Sequence, residues 1–353
     1  MIDSLIKYPL WNDDGKAVAH MNDLQVKARN TFKSKVSSGD YSFVKSNCVC
    51  GNNDLRSDEL VGSKDRFGIS CANILCGKCG VIRLEYRFDE DSNAHFYEHD
   101  YRDLYVGKEL ASESFFSGQV VRGESLLALV KENIDLSRVH TVFEVGCGAG
   151  GVLYPFYNDG KNVSGCDFGD KYIQYGLSKG LILYKGDIDF EQTKINSQDL
   201  VVLSHVMEHF TQPVETLKKI ISVISPSKFL LVEVPGILSV RSSYCDNPLY
   251  YFQNAHIYNY HEAFLKLFFE ALGLKVIYSN ELCVFLLQKP DDWKPKEYCI
   301  DTTNLAGMSR SVSKELKKSY LQYKLKINPF VYRRLVRDFL EKVGILSLIK
   351  KGN

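Results

Sequence analysis

Nowhere does the 353-residue chain reach the ~18 consecutive apolar residues that a membrane-spanning helix needs. Met1–Leu10 is too short and too polar for the apolar centre of a secretory signal, so a cytoplasmic protein is expected. Its ten cysteines are then not expected to form disulfides. Internal repeats and low-complexity segments are absent as well. Net charge is almost lacking, at +1, but it is unevenly spread. From Met308 onward twelve Lys/Arg face three Asp/Glu, so that stretch carries +9 and the remainder −8. Such asymmetry expects the tail to meet something acidic, which includes the chain's own body.

What is present is ordinary for a globular protein: 45% hydrophobic and 25% charged residues, enough to bury a core without staples. The length suggests two domains with appendages. The texture divides the chain into a polar extension over 1–42, a cysteine-bearing segment with an aromatic connector over 43–118, an α/β region over 119–290 and a basic helical extension over 291–353. Short apolar runs recur at His140–Val145, Asn162–Cys166, Leu181–Lys185, Asp199–Leu203, Lys228–Val234, Lys275–Ser279 and Leu282–Gln288. Helical stretches separate most of them, at about Gly151–Phe156, Lys171–Leu177, Pro213–Ile224 and His261–Leu272, with another at Val120–Glu132 ahead of the first. Strands alternating with helices predict an α/β fold with a parallel sheet covered on both faces. The last two runs are joined only by Asn280 and Glu281, which predicts an antiparallel hairpin.

The segment Val142-Phe-Glu-Val-Gly-Cys-Gly-Ala-Gly-Gly151 reads as a strand that ends in a glycine turn and opens a helix. Glycine allows close approach to a ligand and positive φ. Gly146, Gly148 and Gly151 also satisfy the dinucleotide pattern G-x-G-x-x-G, and Asp167 follows at the distance either fold would use for ribose hydroxyls. Glu144 separates the two. A carboxylate two residues before the first glycine would oppose a pyrophosphate, whereas it suits a ligand whose amino-acid end carries an ammonium. The mid-chain position, behind a helix, agrees.

Several segments together carry a family resemblance. Glu144-Val-Gly-Cys-Gly-Ala-Gly150, Cys166-Asp-Phe168, Gly186-Asp-Ile188 and Asp199-Leu-Val-Val-Leu-Ser-His-Val-Met-Glu-His-Phe210 resemble the successive motifs of class I S-adenosylmethionine (SAM)-dependent methyltransferases. Val232-Glu-Val-Pro235 and Ala255-His-Ile-Tyr-Asn-Tyr260 resemble later segments, so the likeness spans about 120–290. It implies a seven-stranded Rossmann-like sheet with SAM as cosubstrate. It also implies cofactor contacts from Glu144, Gly146, Cys147, Gly148, Gly150, Asp167, Phe168, Asp187, Ile188, Ser204 and His205. The acids would take the ammonium, the ribose and the adenine amino group.

His205, Glu208 and His209 also spell the inverted zincin pattern H-x-x-E-H. A protease would leave the glycine loop unexplained, and the motif follows directly on a strand, so a wall of the ligand pocket is the better reading. Methyl transfer to a hydroxyl or carbon acid needs a base. The candidates are His205, His209, His256 and His261. His256 comes first, in a loop expected to overhang the crevice, with Tyr258 and Tyr260 to orient it or bind substrate. Tyr97 and Tyr101 would close the pocket from the N-terminal side.

Asn47-Cys-Val-Cys-Gly51 and Cys76-Gly-Lys-Cys-Gly80 form two glycine-terminated cysteine knuckles. Four thiolates so arranged suit structural zinc: Cys48, Cys50, Cys76 and Cys79, with Cys71 as a substitute because the first knuckle is one residue short. Asp65-Arg-Phe-Gly68, Leu75-Cys-Gly-Lys-Cys-Gly-Val81 and the tyrosines after Phe96 resemble the N-terminal zinc-binding domain of certain sugar methyltransferases of deoxysugar and surface-polysaccharide pathways. That likeness implies a sugar or glycan acceptor. Another small acceptor, and a non-catalytic zinc-containing scaffold with a vestigial SAM pocket, remain as alternatives. Pro329–Val343 is amphipathic at helical spacing. It would dock on the acidic body, meet a second subunit or lie on an anionic membrane. No nucleic-acid recognition module accompanies the basic residues.

Overall fold

The computed structural model describes residues 13–107, 111–186 and 198–325. After helix α1 (Asp23–Ser38), capped by Asn22 and Gln25 in a reciprocal capping box, come five short strands. They are β1 (Phe43–Lys45), β2 (Glu59–Lys64), β3 (Ser70–Leu75), β4 (Ile82–Leu84) and β5 (Tyr86–Phe88). Helices α2 (Glu90–His99) and α3 (Glu113–Asn133) follow, with a π-helical turn at Arg102–Val106 between them.

The α/β region then alternates as its pattern predicts. β6 (Thr141–Val145), α4 (Tyr154–Asn158), β7 (Asn162–Asp167), α5 (Asp170–Ser178), β8 (Ile182–Lys185), β9 (Gln198–Ser204), α6 (Pro213–Val223) and β10 (Ile224–Glu233) lead to two short helices, α7 (Val240–Ser243) and α8 (Pro248–Tyr251). The strand β11 (Tyr258–Asn259), α9 (Glu262–Ala271), β12 (Lys275–Ser279), β13 (Val284–Gln288) and α10 (Met308–Lys324) complete the described elements.

Among the described residues seven strands form one sheet in the order β12-β13-β10-β9-β6-β7-β8. Strands β6 to β10 run parallel and β13 is antiparallel to both its neighbours. This is the Rossmann-like sheet, and the predicted hairpin is there. Its turn is wider than expected, because Asn280 accepts the N–H of Val284 and Cys283 adopts φ +59°.

The central strands bury both faces, and their residues alternate strictly between them. Phe143, Val145, Val201, Leu203, Leu230 and Val232 face the layer containing α6 and α9. Val142, Leu200, Val202, Phe229 and Leu231 face α3 and α5. The chain moves outward from β6 through β7 to β8, then returns to β9 on the other side of β6. The strand ends at that reversal form the crevice in which such sheets bind ligands.

The cysteine segment does not stand apart. β2, β3 and β4 form a second sheet whose fourth strand is β11, from far along the chain. Cys48, Val49, Cys76, Cys79 and Val81 share a core with Phe264 and Phe268 of α9. α10 lays Val312, Leu316 and Tyr320 on Val61, Leu75 and Tyr251, and Lys317 pairs with Glu59 at 3.1 Å. The first part of the basic tail thus rests on the body. Residues 329–343 lie outside the described residues, as do Asp187 and Ile188.

Candidate active site

The C-terminal ends of β6, β7 and β9 open on a cavity of about 470 Å³, within the size range of small-molecule sites. Glu144, Gly146, Gly148, Asp167, Phe168, Ser204 and His205 all line it. Two glycine positions show why the loop has this composition. Gly146 has φ +66°, and a Cβ there would stand 2.5 Å from a methyl of Val206. Gly148 has φ +59°, and its backbone N–H donates to Asp167 Oδ2 at 2.9 Å. The turn is therefore tied to the end of β7 before any ligand arrives. Cys147 and Gly150 do not line the cavity, contrary to expectation. Cys147 is buried beneath the turn, and a Cβ at Gly150 would meet Leu181 and Leu183. Both positions pack the loop onto the sheet.

Glu144 is 1% exposed, and its Oε2 has no hydrogen-bond partner. Burial pushes its carboxyl well above the usual carboxylate range, and the charge of Asp167 adds to that. A buried acid that lines a cavity with one oxygen unpartnered can receive a cation. Asp167 is already engaged: it accepts from Gly148, from Gly169 at 2.7 Å and from the Arg102 guanidinium. Arg102 lies over the Tyr172 ring at 4.1 Å. Ser204 donates to Glu233 Oε2 at 2.9 Å, and Arg122 pairs with the same oxygen at 3.1 Å.

Arg102, Arg122 and Gln119 line the cavity and were not legible in the motifs. Gln119 fastens α3 to the loop, donating to the Cys147 carbonyl at 3.3 Å and accepting from Gly151 N–H at 3.4 Å. The helical stripe of α3 could have indicated which side faces the sheet, but not that Gln119 and Arg122 reach the cavity.

The histidines divide by depth. His205 and His209 line the cavity. His205 sits at φ +56°, a left-handed conformation that turns the chain sharply at the end of β9. Val206 then leads into a 3-10 turn at Met207–His209, so the helical i, i+4 pair of a zincin does not form. His256, the first candidate for the base, does not reach the cavity. It is 4% exposed and lies behind His209, with ring centroids 5.0 Å apart. Burial holds its imidazole well below the usual range. Tyr258 is also misplaced by the sequence reading. It belongs to β11, and its hydroxyl donates to the Asn47 carbonyl beside the cysteine knuckle. Tyr260 is fully buried and stacks on Phe264.

His261 caps α9. Its Nδ1 accepts from Phe264 N–H, so Nε2 carries the proton shared with the Cys79 carbonyl at 2.9 Å. That role is structural. Tyr97 and Tyr101 do line the cavity, and their rings lie 5.5 and 5.8 Å from that of His209.

The four knuckle cysteines converge. Their sulfurs all lie within 4.8 Å of one another, with separations of 3.3 Å for Cys48–Cys50, 3.6 Å for Cys48–Cys79 and 3.8 Å for Cys50–Cys76. Zinc bound at ~2.3 Å in a tetrahedron sets sulfurs about 3.8 Å apart, so this donor set fits that ion. Cys71 is not among them; its nearest polar partner is Asn73.

Residues 120–279 match a family model described as a methyltransferase domain. Among curated proteins nothing matches the chain. Solved structures resemble it at low identity. One is the magnesium protoporphyrin IX methyltransferase from Synechocystis PCC 6803 with bound SAH: 15% identical, covering 57% of this chain and 100% of that one, TM-score 0.40. An O-methyltransferase family protein from Burkholderia thailandensis is 16% identical over 56% of this chain and 62% of that one, TM-score 0.42. An amino pentose methyltransferase from Micromonospora echinaspora is 15% identical over 36% and 58%, TM-score 0.30. The matched stretch runs from within α3 to the end of β12.

Proposed function

We propose that this chain transfers the methyl group of SAM to a sugar acceptor, either a nucleotide sugar or a surface-polysaccharide intermediate. Glu144 carries the cofactor half of this reading: a buried carboxylate that lines the cavity with its Oε2 unpartnered fits the ammonium of the methionine moiety. The Gly146–Gly148 turn lets the backbone approach the ligand, and Asp167 offers carboxylate oxygens to ribose hydroxyls. Asp187 and Ile188 are assigned to the adenine by resemblance.

Tyr97, Tyr101, His205 and His209 surround the remaining space. Aromatic faces with hydroxyl and imidazole edges suit a polyhydroxylated ring. The protein's part in the chemistry is to hold the acceptor atom in line with the methyl–sulfur bond and to take its proton. His205 is the proposed base. It replaces His256 in that role because it lines the cavity. The cysteine set holds structural zinc, which ties the β2–β4 sheet to α9 and so fixes the neighbouring aromatic wall.

Calorimetry with S-adenosylhomocysteine and with NAD tests the cofactor. Binding of the former alone, abolished by Gly148→Arg, is expected. No binding, or binding untouched by that substitution, would overturn the reading. Methyl transfer from labelled SAM to a panel of nucleotide sugars tests the acceptor. Cofactor binding with transfer only to non-sugar acceptors would refute the sugar assignment, and cofactor binding without any transfer would favour a scaffold.

A further inference from the structure

Glu208 is a buried acid in the 3-10 turn that follows β9. It is 1% exposed, and neither carboxylate oxygen has a hydrogen-bond partner. Among the described residues its ion-pair neighbours are all imidazoles: His205 Nδ1 at 3.4 Å, His209 Nε2 at 3.9 Å and His256 Nε2 at 4.0 Å. A carboxylate buried in this way is costly unless a cation joins it.

The imidazoles are oriented to supply lone pairs. His209 Nδ1 lies 2.8 Å from the Ala255 carbonyl, which can only accept, so Nδ1 carries the proton and a neutral ring turns the Nε2 lone pair toward Glu208. A backbone carbonyl fixing the far nitrogen is the usual outer partner of a metal-bound histidine. His256 is buried more deeply than His209, with Nδ1 unpartnered and Nε2 directed at the same carboxylate. Ligand atoms of Glu208, His209 and His256 all lie within 4.8 Å of one another. Bonds of ~2.0–2.2 Å to one ion would set them about 3–3.5 Å apart, which requires only small rotations of the side chains.

We propose that Glu208, His209 and His256 bind a divalent transition-metal ion in the wall of the cavity, with His205 beside it. Two imidazoles and one carboxylate are the donor set of borderline ions such as Zn2+, Mn2+, Fe2+ and Co2+, and they leave coordination positions open. His209 borders the cavity while Glu208 and His256 are buried behind it, so the ion sits beneath the cavity wall and fixes the His209 ring that the acceptor meets. That contact with an acceptor rests on the SAM reading; the binding of the ion does not. The site is distinct from the four cysteines, whose sulfurs form a separate donor set.

The test uses the full chain, freed of adventitious metal by dialysis against a weak chelator and titrated with Co2+. Visible bands of a nitrogen- and oxygen-ligated ion, without thiolate charge-transfer absorption, are expected at one equivalent. Glu208→Gln and His256→Gln should each remove that equivalent while leaving any cysteine-bound metal in place. Wild-type protein that takes up no such equivalent would overturn the proposal, whatever the variants do. So would unchanged uptake in folded Glu208→Gln, checked by circular dichroism. S-adenosylhomocysteine affinity measured on the same samples separates the two ideas. Cofactor binding without metal refutes the metal site alone, and metal without cofactor binding refutes the SAM reading alone.

Discussion

At Glu144 a single carboxylate couples ligand recognition to stability. Its carboxyl is raised by burial above all, so between the unfolded range near 4.5 and the raised native value the folded state holds more protons than the unfolded one. Stability of the ligand-free chain must therefore fall as pH rises through that window. Glu144→Gln removes the dependence. The expected outcome is a thermal midpoint that declines less between pH 5 and pH 8 in the variant than in the wild type. SAM affinity should meanwhile drop roughly ten- to a hundredfold, the worth of a charge-assisted hydrogen bond. Calorimetry in two buffers of different ionisation enthalpy should also show proton release on binding to the wild type. A variant as pH-sensitive as the wild type would remove Glu144 as the source.

His205 is the second residue-scale case. Asparagine tolerates the left-handed backbone found there, so His205→Asn spares the turn while deleting the imidazole. Its kcat should fall about 10²–10⁴-fold with cofactor affinity unchanged. A variant that keeps full turnover would show that the proton leaves by another route.

Among the elements, α3 shows how two physical effects compete. Gly123 lies in the middle of that helix, where alanine is favoured by about 1 kcal/mol on propensity. A Cβ there would stand 2.9 Å from Val152 Cα and closer still to its carbonyl oxygen. Overpacking against backbone costs about 1–3 kcal/mol, so the clash should win and Gly123→Ala should lower the thermal midpoint. It should also weaken cofactor binding, because Gln119 and Arg122 move with the helix. A stabilised variant would mean that α3 and the glycine loop can separate freely.

The same helix shows what an element's sequence conveys. Its apolar stripe of Leu126, Leu127, Leu129 and Val130 predicts the buried face, except that Leu129 is only half-buried. The helix nevertheless begins at Glu113, seven residues before the periodic stretch, because Ser112 caps it and Phe116 packs on Tyr154. Likewise α9 and β12 fall where the pattern put them. β11 did not, because two residues carry too little periodicity and its pairing partner lies far back along the chain.

For the whole molecule, the cysteine knuckle and the seven-stranded sheet share one core rather than a linker. Cys76, Cys79 and Val81 pack with Phe264 and Phe268, Tyr298 donates to the Val49 carbonyl, and His261 bridges to Cys79. Paired Cys76→Ser and Cys79→Ser substitutions should therefore cost on the order of several kcal/mol. The loss should appear in the main unfolding transition, not in a separate early one. Scanning calorimetry that shows a detached transition with the main one unshifted would contradict this coupling.

The sequence by itself determined the strand–helix alternation, the glycine turn and its carboxylate, the strand-end position of Asp167 and Ser204, and the identity of the four cysteines. Those features are local: apolar periodicity, positive-φ glycines and short spacings need no knowledge of distant residues. Only the tertiary structure decided which histidine meets the cavity. His256 and Tyr258 sit on one short segment with good motif credentials, yet the pairing of β11 with β4 turns that segment inward. His209 shields His256 from the cavity, and Tyr258 is drawn toward Asn47. The clustering of Glu208 with His256, 48 positions later, likewise follows from folding alone, since no periodicity links them. Arg102, Arg122 and Gln119 reach the site because their helices pack over the crevice, a contact set by the shared core and not by any spacing in the chain.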